Sequence, residues 1–447
     1  MSGEAIEHVR RLFGTDGIRG DAYSLLTDEL VESLAAAAVS VLGGDHPSIA
    51  ILRDTRASGP RIERALARGA AAAGADVKLA GVLPTPAAPV LIDHFGFDLV
   101  AVVSASHNPF SDNGIKFFGS AGLKLTDESE AAIERLIENG ELPSDGDGSI
   151  TELHHAEDDY VRALRSRFAD LDLTGMRIAL DTAHGATYRV APRVMRELGA
   201  DVEVLFDDPD GTNINADCGS THMQAIVDLV GSREFDAGFA FDGDGDRMLA
   251  VDGDGRVVDG DELIALAALH LRESGRLPGD GVVVTVMTNY GFHRAMEAAG
   301  LNVVVTPVGD RYVLEALIEN DWALGGEQSG HVIDRGFVPS GDGLASALLT
   351  LEALKASGRA LREVIPMEKL PQSLVNVRVA DRDAIDGAGV VWAAVEAEAH
   401  DLEGRGRVLV RSSGTEPLIR VMAEAPSVDE ADAVCARLVA VIERELG

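Results

Sequence analysis

The sequence predicts an α/β protein of several domains, three α/β units followed by a smaller C-terminal α+β unit. Three observations carry that expectation. Short Val, Ile and Ala runs alternate with amphipathic helical stretches, the rhythm of largely parallel strands crossed by helices. Several apolar runs stop abruptly in polar loops rich in Gly, Asp and Ser, which is where open α/β sheets place their ligands. The chain has 447 residues, too many for one ordinary core.

Taken in order, Glu29–Leu42 puts Leu30, Leu34, Ala38 and Val41 on one helical face. A strand at Ser48–Leu52, a helix at Pro60–Ala73, a strand at Val77–Ala80 and the apolar run Asp98–Val103 follow. That run breaks at Ser104-Ala105-Ser106-His107-Asn108-Pro109. The turn-rich stretch Gly140–Ser149 reads as a linker and closes a first unit, 1–149. In the second unit, 150–258, the strand Arg177–Leu180 leads into Asp181–Gly185, and the strand Ala237–Phe241 feeds Asp242-Gly243-Asp244-Gly245-Asp246-Arg247. Met248–Val258 reads as a hairpin turning at Asp252–Gly255, a solvated turn. The third unit, 259–369, has strands at Val282–Val286 and Val303–Thr306 and the loop Gly325–His331. The last, 370–447, runs strand, helix, two strands, helix, with Arg411–Pro417 between Val408–Val410 and Leu418–Ala423.

Acidic residues number 74 against 39 basic ones, a formal charge of −35, so a nucleic-acid partner bound through the general field of the protein is excluded. Only five of the basic residues are Lys, and the acidic ones are spread along the chain, a pattern that fits a strongly hydrated halophile surface. Any anionic ligand must then meet a local cluster of Arg and Lys. Cys218 and Cys435 make no disulfide framework, and no stretch is apolar enough to span a bilayer; a cytoplasmic protein with no membrane partner is expected.

Asp242, Asp244 and Asp246 place three carboxylates within five residues, spaced by glycines that let the backbone curl around a hard divalent cation. An EF-hand would need Gly at its sixth position and Glu at its twelfth; Arg247 and Gly253 stand there. A solvated acidic turn would not need three aligned carboxylates at the end of a buried strand. Ser106 could be an ordinary loop serine, and no Gly-x-Ser-x-Gly elbow surrounds it. Lys116 raises its standing, since an ammonium near a hydroxyl can assist proton transfer and stabilise phosphoryl oxygens. His107 reads as a holder of loop hydrogen bonds. Arg411-Ser412-Ser413-Gly414-Thr415 offers a guanidinium fork, hydroxyls and free backbone donors suited to a phosphate dianion, although plain β-turns favour the same residues. Arg420 could add a second fork. Glu327, Ser329 and His331 form a set suited to sugar hydroxyls, or simply a polar hairpin.

Together, Gly14–Gly20 (GTDGIRG), Ser104–Phe118 (SASHNPFSDNGIKFF), Asp242–Arg247 (DGDGDR), Gly326–His331 (GEQSGH) and Arg411–Pro417 (RSSGTEP) resemble, in order and spacing, the motifs of the α-D-phosphohexomutases across the full chain. The resemblance implies three α/β domains around a central cleft with the smaller C-terminal α+β domain, and an enzyme that moves a phosphoryl group between two positions of a hexose through a phosphorylated serine, Ser106. It implies one Mg²⁺ held by Asp242, Asp244, Asp246 and a phosphoserine oxygen, and a sugar 1,6-bisphosphate as intermediate and activator. Arg19 and Lys116 would flank the transferring group, Lys116 as general acid/base, with Arg247 nearby and His331 close to the reacting end. Glu327 and Ser329 would bind sugar hydroxyls, and Arg411, Ser413, Gly414 and Thr415 the phosphate that is not reacting. The motif wording is most similar to the branch acting on glucosamine phosphate; mannose and glucose phosphates, and an inactive phosphosugar-binding regulator, are the competing readings. A monomer or homodimer is expected. Ser412 departs from the family's usual Pro, and His184 from a common Asn.

Overall fold

In this computed structural model, which describes residues 12–14, 16–42, 46–412 and 417–447, the apolar runs become the strands of four sheets. The first sheet contains β1 (Ile18–Asp21), β2 (Ser48–Arg53), β3 (Asp76–Val82), β4 (Leu99–Val103), β5 (Asp112–Gly119) and β6 (Ile150–Glu152), in the order β1-β5-β4-β2-β3-β6. All of β4 is buried, as its unbroken Leu-Val-Ala-Val-Val run requires of a strand covered on both faces. The helices Asp28–Leu42 and Gly59–Ala72 cross closely, because Gly69 carries no side chain: a Cβ there would lie 2.1 Å from the Glu32 carbonyl oxygen. The Gly/Asp-rich stretch before Ile150 does not end this layer. Gly146 N–H donates to Ala72 O, and β6 then pairs in parallel with β3.

The second sheet is built from β7 (Arg177–Asp181), β8 (Asp201–Leu205), β9 (Ala237–Phe241), β10 (Met248–Asp252) and β11 (Val257–Val258), in the order β11-β10-β9-β7-β8. The turn at Asp252–Gly255 differs from its expected solvated state. Asp252 is buried and accepts from the N–H groups of Asp254 and Arg256, so the carboxylate itself shapes the hairpin. The third sheet orders β12 (Gly281–Thr285), β13 (Asn302–Thr306), β14 (Leu324–Gly326) and β15 (Val332–Asp334) as β13-β12-β14-β15.

These three sheets share a device. In each, one parallel strand turns directly into an antiparallel neighbour: β4 into β5, β9 into β10, β14 into β15. The connecting loops are the Ser104–Pro109, Asp242–Arg247 and Glu327–His331 segments singled out in the sequence. Each is held at both ends by strand hydrogen bonds, which makes it a stiffer platform than a free crossover loop.

The chain divides into two compact units. One holds the described residues up to Val286 and Asn302–Ile365; the other holds Met287–Leu301 and Pro366–Gly447. In the second, β16 (Gln372–Arg378), β17 (Arg407–Ser412) and β18 (Leu418–Glu424) form an antiparallel sheet in the order β16-β18-β17, with helices Gly389–Asp401 and Val428–Leu446. Its core gathers Val377, Val391, Ile419, Val421 and Leu438. The helix Tyr290–Ala299 belongs to this unit, tied in by Tyr290 N–H to Glu424 (2.7 Å) and by Asn289, which exchanges hydrogen bonds with the Leu370 backbone. No described helix is long and apolar enough to cross a membrane.

Candidate active site

Ser106 sits just past the end of β4 with φ of +51°, a left-handed conformation that a residue with a Cβ adopts only where the surroundings impose it. The surroundings are visible. Its N–H donates to Ser104 Oγ (3.0 Å), and its carbonyl accepts from Arg56 Nη2 and Asn215 Nδ2, both at 2.9 Å. Arg56 is wholly buried, paired through Nε with Asp54 Oδ2 (2.8 Å), and it also donates to the carbonyls of Asn108, Pro109 and Asp112. Ser104 Oγ closes the lattice on Asp54 (2.6 Å). The loop is thus wired from behind, and Ser106 Oγ is aimed at Asp242 Oδ2, 2.5 Å away.

The turn after β9 presents Asp242, Asp244 and Asp246, all buried, with ligand atoms within 4.8 Å of one another. Burial, then the charges of Asp246 and Asp244, push the Asp242 carboxyl far above the usual range. Asp246 goes the other way: burial is outweighed by Lys116, His331 and Arg247. Asp244 Oδ2 accepts from Thr85 Oγ1 at 2.6 Å, while Asp244 Oδ1 and Asp246 Oδ1 are buried with no hydrogen-bond partner. Buried anionic oxygens left without donors, converging with a third carboxylate, fit a hard divalent cation with oxygen ligands. A solvated turn would leave them wet.

Lys116, on β5, lies 3.1 Å from Asp244, 3.4 Å from Asp246 and 3.2 Å from Asp16. Burial alone would strip its proton; Asp16, Asp244 and Asp246 outweigh burial and hold it cationic. Arg19, on β1, pairs with Asp16. Arg247 donates its backbone N–H to Asp242 Oδ1 (3.2 Å), and its Nη1 lies 3.3 Å from His107 Nδ1. His107 does more than hold its loop: the same Nδ1 is 3.4 Å from Ser106 Oγ, and burial, Arg247 and Arg19 lower its proton affinity.

From the third sheet, His331 is buried between Asp246 and Asp310, each 3.7 Å from a ring nitrogen. Gly341 N–H donates to Nε2 (3.2 Å), which leaves Nδ1 to face Asp246. Glu327 accepts from Gly309 N–H (3.1 Å), and Ser329 is exposed at the loop tip. Gly260 N–H meets Gln328 O, and a Cβ on Gly260 would lie 2.0 Å from Glu327 O, so the capped start of helix Gly260–Glu273 fixes this loop by close approach. A cavity of about 290 Å³ is lined by Asp16, Arg19, Arg247, Glu327 and His331, so side chains from all three sheets meet at one space.

Arg411 and Arg420 lie in the C-terminal sheet as direct partners on β17 and β18. Burial and the Arg420 charge lower the proton affinity of Arg411. Two guanidinium groups at paired positions repel and favour an anion between them. Ser413, Gly414 and Thr415 lie outside the described residues. Sequence reasoning missed Asp16, Thr85, Asn215, Lys124 and Asp310; of these only Asp16 had a signal, its place beside Arg19 in Gly14–Gly20.

Models of the phosphoglucomutase/phosphomannomutase family match four stretches: alpha/beta/alpha domain I at 10–144, domain II at 158–255, domain III at 259–370 and the C-terminal domain at 374–441. Phosphoglucosamine mutase of Pelotomaculum thermopropionicum is 47% identical over 97% of this chain and 99% of its own length. That of Moorella thermoacetica is 48% identical over 96% and 98%. Among solved structures, a phosphoglucomutase/phosphomannomutase family protein from Burkholderia thailandensis superposes with a TM-score of 0.83 at 25% identity, covering 97% of both chains.

Proposed function

Because the chain belongs to the phosphoglucomutase/phosphomannomutase family, we propose that it is an isomerase interconverting glucosamine 6-phosphate and glucosamine 1-phosphate through a phosphoserine at Ser106. The observation that carries the reading is the Ser106 hydroxyl, forced into a left-handed turn and aimed at a buried carboxylate triad that still has unpartnered oxygens. The near full-length likeness to phosphoglucosamine mutases supports the amino sugar as substrate. The four units proposed for the work are 1–149, 150–258, 259–369 and 370–447.

In this reading Asp242, Asp244 and Asp246, with an oxygen of phosphorylated Ser106, would hold Mg²⁺. The ion, when bound, supplies positive charge to the phosphoryl oxygens and offsets the three carboxylates. Transfer begins when the free sugar hydroxyl attacks phosphorus and the bond from phosphorus to Ser106 Oγ breaks; Lys116 gives a proton to Oγ and recovers one from the attacking hydroxyl, leaving a neutral serine and a 1,6-bisphosphate. After the sugar turns around, the other phosphoryl group returns to Oγ and the isomeric monophosphate leaves. Positioning and electrostatics supply most of the rate, since the protein has little covalent work beyond the nucleophile. Lys116, Arg19 and Arg247 balance charge on the transferring group. Lys116, held cationic by its carboxylates, starts as the acid of the general acid/base pair; His331 sits ready at the reacting end. Glu327 and Ser329 select the sugar hydroxyls, and Arg411 and Arg420, with Ser413, Gly414 and Thr415, take the phosphate that does not react. A cytoplasmic setting suits a substrate of this kind.

The test is the rate of 1-phosphate to 6-phosphate interconversion for glucosamine, glucose and mannose, with Mg²⁺ and catalytic bisphosphate. A preference for glucosamine of about tenfold or more, ~1.4 kcal/mol at the transition state, supports the reading. A preference for mannose or glucose moves the substrate while leaving the chemistry; no turnover with any sugar favours a binding regulator.

A further inference from the structure

Lys124 stands behind the site. The segment Leu123–Leu125 folds back along β5: Phe118 and Lys124 form an antiparallel bridge, Gly119 N–H donates to Leu123 O and Leu125 N–H to Phe117 O. Residues two apart on a strand share a face, and so do bridge partners. Lys124 therefore projects on the same side as Lys116. Its ammonium contacts Asp16 and, at 2.5 Å, Asp310 Oδ2, with the side chain only 17% exposed.

Both carboxylates have a second partner that belongs to the site. Asp16 pairs with Lys116 and Arg19, and Asp310 faces His331. Asp16 and Asp310 also line the cavity of about 290 Å³. Lys124 does not. It lines a neighbouring cavity of about 520 Å³, which Asp310 and His331 also reach, with Leu125, Leu314 and Ile333 beside its stem. Asp16 enters from the segment before β1, and Asp310 from the start of helix Asp310–Glu319 in the third layer.

We propose that Lys124 is a positioning residue for phosphoryl transfer: it joins Asp16 to Asp310 and, through them, fixes Lys116 with Arg19 and His331 at the reacting end. Without it the Asp16 and Asp310 carboxylates have no cation between them, and their repulsion shifts Asp16 together with Lys116 and Arg19, and Asp310 away from His331. The inference rests on the mutase reading for its kinetic consequence but on coordinates for its geometry. Misplacement of reacting groups lowers turnover more than binding.

The experiment compares wild type, Lys124→Met, Lys124→Arg, Asp310→Asn and the double variant Lys124→Met with Asp310→Asn, all at saturating Mg²⁺. Lys124→Met should lose roughly tenfold or more in kcat per folded molecule with KM within about threefold. Lys124→Arg, which keeps the charge, should recover most of kcat. Adding Asp310→Asn should cost less than the product of the two single losses, because both act through one contact. A kcat for Lys124→Met within about twofold of wild type, or a loss that vanishes once the folded fraction is counted, overturns the inference. Crystal structures of wild type and Lys124→Met decide it without turnover: displaced Asp16 and Asp310 carboxylates support it, and superimposable ones sink it. A wild type inactive on every sugar phosphate would instead remove the mutase reading.

Discussion

Ser106 Oγ donates to Asp242 Oδ2 across 2.5 Å, joining the loop after β4 to the loop after β9 over a sequence separation of 136 residues. The nucleophile and the proposed metal site are one object. Ser106→Ala should therefore lower interconversion by at least roughly 10³-fold while leaving the melting temperature nearly unchanged, measured by coupled assay and thermal unfolding. Normal turnover in that variant would end the phosphoserine mechanism.

The crowded carboxylates predict a stability signature for metal. Mg²⁺ bound to the folded chain should raise the wild-type melting temperature with the logarithm of ion concentration above its dissociation constant. Asp242→Asn replaces the carboxylate whose charge burial, Asp246 and Asp244 disfavour and leaves the Lys116 contacts with Asp244 and Asp246 in place, so its metal-free form should melt no lower than metal-free wild type, and added Mg²⁺ should move it little. Differential scanning fluorimetry with EDTA and Mg²⁺ reads both. Equal Mg²⁺ stabilisation of the two proteins would place the ion elsewhere.

Arg56 is the strongest candidate for a support that never touches substrate. Burial pushes Asp54 up and the Arg56 charge offsets only part of that, so Arg56→Ala strands a buried carboxylate and removes one donor from each of the loop carbonyls of Ser106, Asn108, Pro109 and Asp112. We expect a loss of about 3–5 kcal/mol of stability by urea unfolding. Arg56→Lys should recover only part of it, since one ammonium cannot reach the carbonyls that the guanidinium fork reaches together.

Asp342, whose neighbour Gly343 donates its N–H to Gly245 O at 3.0 Å, gives a pH dependence that needs no carboxylate of the metal loop. Burial pushes its carboxyl up to about 6, against hydrogen bonds donated by Ala345 N–H and the Tyr160 hydroxyl. Between the ordinary carboxylate value and about 6 the folded chain binds more protons than the unfolded one, so this group makes stability fall as pH rises through that window and level off above it. Asp342→Asn keeps a capping oxygen without the charge, and should gain as much as roughly 3 kcal/mol at pH 7 and flatten the slope. Asp181, also pushed up to about 6 by burial, retains a slope of its own in the variant. Urea titrations at several pH values measure it; an unchanged slope would show that Asp342 is ionised throughout.

What could be read in the sequence was local. Apolar runs ending in SASHNP, DGDGDR and GEQSGH marked strand ends, because strand burial and turn chemistry are written within a few neighbouring residues. The strands at Ser48–Arg53, Leu99–Val103 and Ala237–Phe241 lie where the periodicity put them, within a residue or so at their ends. The supports were not legible. Arg56 with Ser106 spans 50 residues, Asn215 with Ser106 spans 109 and Lys124 with Asp310 spans 186. A buried charge looks the same in a sequence as an exposed one until its partner is brought to it. His107 and Asp252 were misjudged for that reason: the first meets Arg247, and the second folds inward to hold its own turn.

The three hairpins that carry Ser106, Asp242 and His331 are separate stretches of one chain, made in that order. A ribosome that has just finished the first sheet exposes a serine wired from behind but whose hydroxyl partner, Asp242, has not yet been translated. The hydroxyl gains Asp242 only after elongation has passed β9, and His331 comes later still, so a nascent or prematurely terminated chain carries the residue that gives the motif its character without the set that makes it reactive.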